Sequence, residues 1–101
     1  MKEVTVENME NGALTIRLSG DIDASNAEAF FVEVTAAYGE GKDITFDCAE
    51  LSFIDSTTLG TFVKILKTIK SDGYTMRLLG LQSKIKKLFL ICSLDSIMEI
   101  A

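Results

Sequence analysis

Apolar and polar residues alternate over 13–18, where Leu14, Ile16 and Leu18 share one side and Thr15 and Arg17 the other. A period of two marks a half-buried strand. Val4-Thr5-Val6 alternates in the same way, and the polar run between the two segments holds the turn pair Asn11-Gly12. Two such segments around Asn-Gly predict a β-hairpin. Gly20-Asp21-Ile22-Asp23 ends the second strand. The spacing then changes: Ala27, Phe30, Phe31, Val34 and Ala37 or Tyr38 recur at helical intervals. Ser25 and Glu28 stand three apart and fit a capping box ahead of this first helix. Gly39 and Gly41 stop it. Ile44-Thr45-Phe46-Asp47-Cys48 reads as the next strand, closed by a turn at Ala49-Glu50.

A second amphipathic run spans 57–71, with Leu59, Phe62, Val63, Leu66 and Ile69 or Lys70 setting its apolar face and Ile65 beside it. Lys64, Lys67 and Lys70 form another stripe, and Asp72-Gly73 ends the helix. A strand over 74–79 stops at Gly80. A third helix over 83–92 turns Ile85, Leu88, Phe89 and Cys92 inward, and 97–100 makes a last short strand. The order is strand, strand, helix, strand, helix, strand, helix, strand. Such alternation after an opening hairpin predicts an α/β fold with a mixed sheet. Crossovers of one hand gather the helices on one face of that sheet.

Composition narrows the picture. The chain has 101 residues, 48% of them hydrophobic. That fits a single domain over 1–101 with one core. No apolar run approaches the roughly 18 residues of a membrane span. The start, Met1-Lys2-Glu3-Val4-Thr5-Val6, lacks the pattern of a signal peptide. A cytoplasmic protein is expected. Cys48 and Cys92 have no CxxC or Cys/His neighbourhood and read as two small buried thiols. The absence of histidine removes Ser-His-Asp and Cys-His catalysis and the commonest metal ligand. No GxGxxG or Walker pattern supports a nucleotide fold. Neither a cofactor, a metal nor a catalytic residue is expected.

Charge is uneven around a net value of −5. Residues 1–55 carry 3 basic and 12 acidic side chains, and residues 56–101 carry 7 basic and 3 acidic. Overall acidity argues against nucleic acid, whose binding is driven by phosphate neutralisation. The asymmetry reads either as ordinary solvated surface or as an acidic face that steers a partner.

The segment with most chemical content is Leu51-Ser52-Phe53-Ile54-Asp55-Ser56-Thr57-Thr58-Leu59-Gly60. A strand-like stretch ends at an acid, three hydroxyl residues follow, and a helix begins. Free N–H groups and the helix dipole favour negative charge at such a point. Ser56 fits there as a helix N-cap, with Thr57 and Thr58 in the first turn. It also fits as an acceptor for phosphate. Asp21 and Asp23 lie in the loop after the second strand, and loops at the ends of adjacent parallel strands meet in space.

These residues carry a resemblance. From Val4 to Ile100 the chain resembles a stand-alone STAS domain of the anti-sigma factor antagonist type. The middle motif resembles that family's D-S-[ST]-G-L-G signature; Leu18-Ser19-Gly20-Asp21-Ile22-Asp23 and Ser83-Lys84-Ile85-Lys86-Lys87-Leu88-Phe89 support it. The resemblance implies a partner-switching regulator that is no enzyme. Its partners would be an anti-sigma factor serine kinase and a serine phosphatase, with no nucleic acid and no membrane. Ser56 would be the phosphoacceptor. The partner surface would combine Asp21 and Asp23 with Asp55, Ser56, Thr57, Thr58 and Gly60. The chain departs from the signature at Thr58, where relatives commonly carry glycine. A β-branched residue there is expected to reshape the loop or block kinase docking, and to offer a competing hydroxyl. The Ser83-Lys84 region also lacks a proline that relatives often carry. Two other readings remain: a STAS scaffold without a phosphorylation cycle, which Thr58 favours, and a weak nucleotide hydrolase, which the missing histidine, phosphate loop and metal cluster disfavour.

Overall fold

A computed structural model of the chain describes the backbone of residues 2–8 and 13–101, and within 2–8 the side chain of Val4 alone. The Asn11-Gly12 turn lies outside the described residues. The hairpin strands themselves, β1 (Lys2–Asn8) and β2 (Leu14–Ile22), pair antiparallel with Val4 opposite Leu18. Then follow α1 (Ala27–Tyr38), β3 (Ile44–Ile54), α2 (Ser56–Ser71), β4 (Met76–Leu79), α3 (Ser83–Ile91) and β5 (Glu99–Ile100). A single 3-10 turn at Leu94–Ser96 precedes β5. The sheet order is β1-β2-β3-β4-β5, and every pair after the hairpin is parallel. The expected mixed α/β sheet is therefore present.

All three helices cover one face. Phe30 of α1, Phe62 of α2 and Phe46 of β3 meet one another with ring centroids 5.3–6.1 Å apart, and Phe62 also meets Phe89 of α3 at 5.5 Å. Each of these four rings is fully buried, and burying one phenylalanine contributes about 1.5–3 kcal/mol. The opposite face carries two ion pairs among the described residues. Arg17 pairs with Asp47 across β2 and β3 at 3.5 Å, and Arg77 pairs with Glu99 across β4 and β5 at 3.0 Å.

β4 and β5 begin two residues later than the sequence reading has them, at Met76 and Glu99. Two further boundaries, in β2 and β3, differ for one reason. The expected turn at Ala49-Glu50 is absent: β3 runs unbroken through Ile54. Its buried positions step from Ile44 to Phe46 to Cys48, then by threes to Leu51 and Ile54. The register shifts once between Arg17 and Ser19 and again between Gly20 and Asp21, each time giving β3 one extra residue. These are β-bulges, which interrupt alternation without ending a strand. Gly20 supplies the positive φ of 78° at the second. β2 likewise continues to Ile22, so Asp21 lies in the strand opposite Phe53 and not in the loop. The bulges bring Ile54 level with Ile22, which sets the following residues of both strands side by side.

Two smaller expectations also change. No capping box forms: Asn26 flanks α1, and Ser25 instead donates its N–H (2.9 Å) and hydroxyl to Asp23 Oδ1. Cys48 is buried, but Cys92 is exposed and Leu88 is 37% exposed. α3 buries only Ile85 and Phe89, a single i, i+4 pair. Cys92 falls just past its last turn.

Candidate functional site

The site forms where β2 and β3 end together. Asp55, not Ser56, caps α2: its Oδ1 accepts the Thr58 N–H at 3.0 Å. Asp55 leaves β3 with extended backbone, the geometry an N-cap requires. Its other oxygen, Oδ2, accepts the N–H of Ala24 at 2.9 Å. One carboxylate thus joins the first turn of α2 to the loop after β2. These bonds hold its pKa below the usual carboxylate value. The Thr58 N–H contributes most, partial desolvation opposes it, and Ala24, the Thr58 hydroxyl and Thr57 assist.

Thr58 stands in the first turn of α2 with no solvent exposure. Its hydroxyl proton is shared between the Ile22 carbonyl, at the end of β2, and Asp55 Oδ1 at 3.0 Å. A buried hydroxyl without a partner would be destabilising; this one has two. The expected competing hydroxyl is therefore out of solvent. Thr58 itself takes ordinary helical geometry with no positive φ.

Ser56 and Thr57, by contrast, are exposed at the first two positions of α2. Asp23 is placed beside them by the Ala24–Asp55 bond, and its own N–H donates to Asn26 Oδ1 at 2.9 Å. Asn26 Nδ2 closes the loop onto the Asp21 carbonyl at 3.0 Å. Asp21 is set apart. Ile22 and Ile54 face the core, so Asp21 and Phe53, one position earlier on paired strands, project to the other side of the sheet. Gly60 is exposed one turn beyond Ser56, and a Cβ built on it would meet nothing within 4 Å. Glycine inside a helix costs roughly 0.5–1 kcal/mol relative to alanine. The structure thus brings Asp23, Asp55, Ser56, Thr57 and Gly60 to one surface, buries Thr58 beneath it, and leaves Asp21 outside it.

The family profile of the STAS domain matches residues 5–101. The anti-sigma-B factor antagonist of Bacillus subtilis (strain 168) is 30% identical over 98 residues, which are 97% of this chain and 89% of that protein. The chain belongs to the STAS family of anti-sigma factor antagonists. The anti-sigma-B factor antagonist of Listeria monocytogenes is 31% identical over 96% of this chain and 86% of its own. Among solved structures, the phosphorylated form of the Bacillus cell fate determinant SpoIIAA superposes with a TM-score of 0.76. That alignment covers 98% of this chain and 91% of the other at 23% identity.

In this STAS domain two parts of the candidate site lie outside the signature motif. The Ile22 carbonyl and the Ala24 N–H are main-chain groups, and no side-chain pattern announces them. Phe53, 49% exposed two residues before Asp55, was legible as an apolar position but not as a surface one. The β-bulges turn it outward. Among the described residues no His/Cys/Asp/Glu cluster suited to a metal is present, and no helix is long and apolar enough to cross a membrane.

Proposed function

We propose that this STAS domain is a phosphorylation-gated antagonist of an anti-sigma factor. With Ser56 unmodified it binds an anti-sigma factor that is also a serine kinase, and so frees a sigma factor. The kinase then transfers the γ-phosphoryl group of ATP to Ser56. Ser56 Oγ attacks phosphorus, the bond to the β-phosphate oxygen breaks, and ADP leaves. A serine phosphatase hydrolyses the ester and resets the protein. The observation that carries this reading is that Ser56 directly follows the capping Asp55 and is exposed at the helix start, whereas Thr58, two residues on, is buried with its proton committed.

The chain's own contribution is positioning. Asp55 is a poor base for the Ser56 proton, because its oxygens already accept from Thr58 and Ala24 and its pKa is depressed. The base therefore belongs to the kinase. Phosphoserine brings about −1.5 to −2 charges at neutral pH. At the first position of α2 the helix dipole tolerates that charge, so the fold persists. The added charge beside Asp55 and Asp23 instead repels a partner surface fitted to the unmodified site.

The test is binding kinetics with purified anti-sigma serine kinase across a salt series. Asp23→Asn keeps an acceptor for Ser25, so it is expected to melt as wild type does and to bind more weakly. Ser56→Asp is expected to bind more weakly still, although it carries about one charge where phosphate carries nearly two. Association of wild type slows as salt rises. If both variants melt normally and bind as wild type does, the surface is wrong and a scaffold without a phosphorylation cycle is the better reading.

A further inference from the structure

Gly60 lies inside α2 and is not among the glycines with positive φ. Its backbone is one that any residue adopts. Nor does the fold need the space: a Cβ there would meet nothing within 4 Å. Gly20, Gly41 and Gly80 each have a positive φ, and at Gly41 a Cβ would also come within 2.4 Å of the Tyr74 ring. Gly60 has neither reason, and glycine is the weakest helix former after proline. The folded chain alone therefore favours alanine at this position.

We propose that Gly60 is the point at which the partner's backbone packs directly against α2, a close approach that even a methyl group would block. The inference rests on the phosphorylation-gated reading above and gives its interface a contact point. Ser56 and Gly60 are four residues apart and so share a helix face, about 6 Å apart along the axis. A kinase that holds Ser56 in its active site must cover this next turn. The neighbouring long side chain does not obstruct it, because Lys64 Nζ lies 4.0 Å from the centre of the Phe31 ring on α1. The partner is a folded protein surface presenting main chain, since a missing Cβ is read only by atoms packed at backbone distance.

The experiment pairs two measurements on the full chain: thermal melting, and affinity for each purified anti-sigma serine kinase encoded in the same genome. Gly60→Ala is expected to raise Tm by roughly 2–8 °C. The same variant is expected to weaken kinase binding roughly 10–100-fold, because overpacking a close contact is costly. Gly60→Gln should weaken binding further. Lys67→Ala, exposed further along the same helix, serves as the control and binds as wild type does. If wild type binds a kinase and Gly60→Ala binds it equally well, the close-approach inference is overturned while the wider reading stands. If wild type binds none of the kinases, the wider reading fails and this inference with it.

Discussion

The Thr58 hydroxyl is hydrogen-bonded to the main-chain carbonyl of Ile22, thirty-six residues earlier in the chain. This contact pins the first turn of α2 to the end of β2. It sets the height at which Ser56 emerges beside the Asp23–Ala24 loop. Thr58→Val preserves shape but strips the carbonyl of its donor. A buried acceptor left unsatisfied costs about 1–3 kcal/mol. Tm should fall by about 4–8 °C for each kcal/mol lost in a domain of this size. Thr58→Ser keeps the donor and loses one methyl, about 0.8 kcal/mol. Thr58→Gly should also melt below wild type because it loses both the donor and the methyl group. Equal melting of wild type and the valine variant would show that the bond contributes nothing.

Asp55 should make the domain sensitive to acid. Its pKa is depressed in the fold from the ordinary 3.8. The folded state therefore binds that proton less readily than the unfolded chain does. The associated stability is complete above pH 3.8 and is lost as pH falls from there through the depressed value. Asp55→Asn keeps a neutral acceptor and removes the titration. Denaturant unfolding at a series of pH values should show wild type above the variant at neutral pH, with the gap closing below about pH 4. A gap that stays constant down to pH 2 would place the charge effect elsewhere.

The aromatic core should be intolerant at its centre. Phe62 touches Phe30, Phe46 and Phe89, one each from α1, β3 and α3. Phe62→Ala should cost about 3–5 kcal/mol. Against a total stability of roughly 5–15 kcal/mol for ordinary domains, that is enough to bring the domain close to unfolding. Phe31→Ala, a half-buried residue at the helix surface, should cost clearly less. Urea titration of both variants decides the comparison.

Most of this architecture was legible because its determinants are local. The order of elements follows from periodicity, as do the buried Phe30, Val34, Phe62 and Leu66; on α2, however, Leu59 and Val63 of the expected face are only half-buried, and Ile65, read as lying beside it, is buried. What escaped was non-local. The bulges in β3 depend on how it pairs with β2, so the broken alternation at Ala49-Glu50 looked like a turn. The same bulges carry Asp21 into the strand and away from Asp23. Assignment of the cap failed for a related reason. Asp and Ser are both good N-caps, and only the path of β3 shows that Asp55 arrives first. The reading of Thr58 changed most. As a departure from glycine it suggested disruption, and only its distance to Ile22 shows it as a fastening.

The most direct test of the central claim is phosphopeptide mapping after incubation with ATP and the anti-sigma serine kinase that binds the chain. The account predicts one phosphate per chain, on Ser56, absent from Ser56→Ala and unchanged in Thr57→Ala. It also predicts that the modified protein no longer binds the kinase but melts as the unmodified protein does. Phosphate recovered mainly on Thr57 or Thr58, or no phosphate on a chain that the kinase binds, would contradict it.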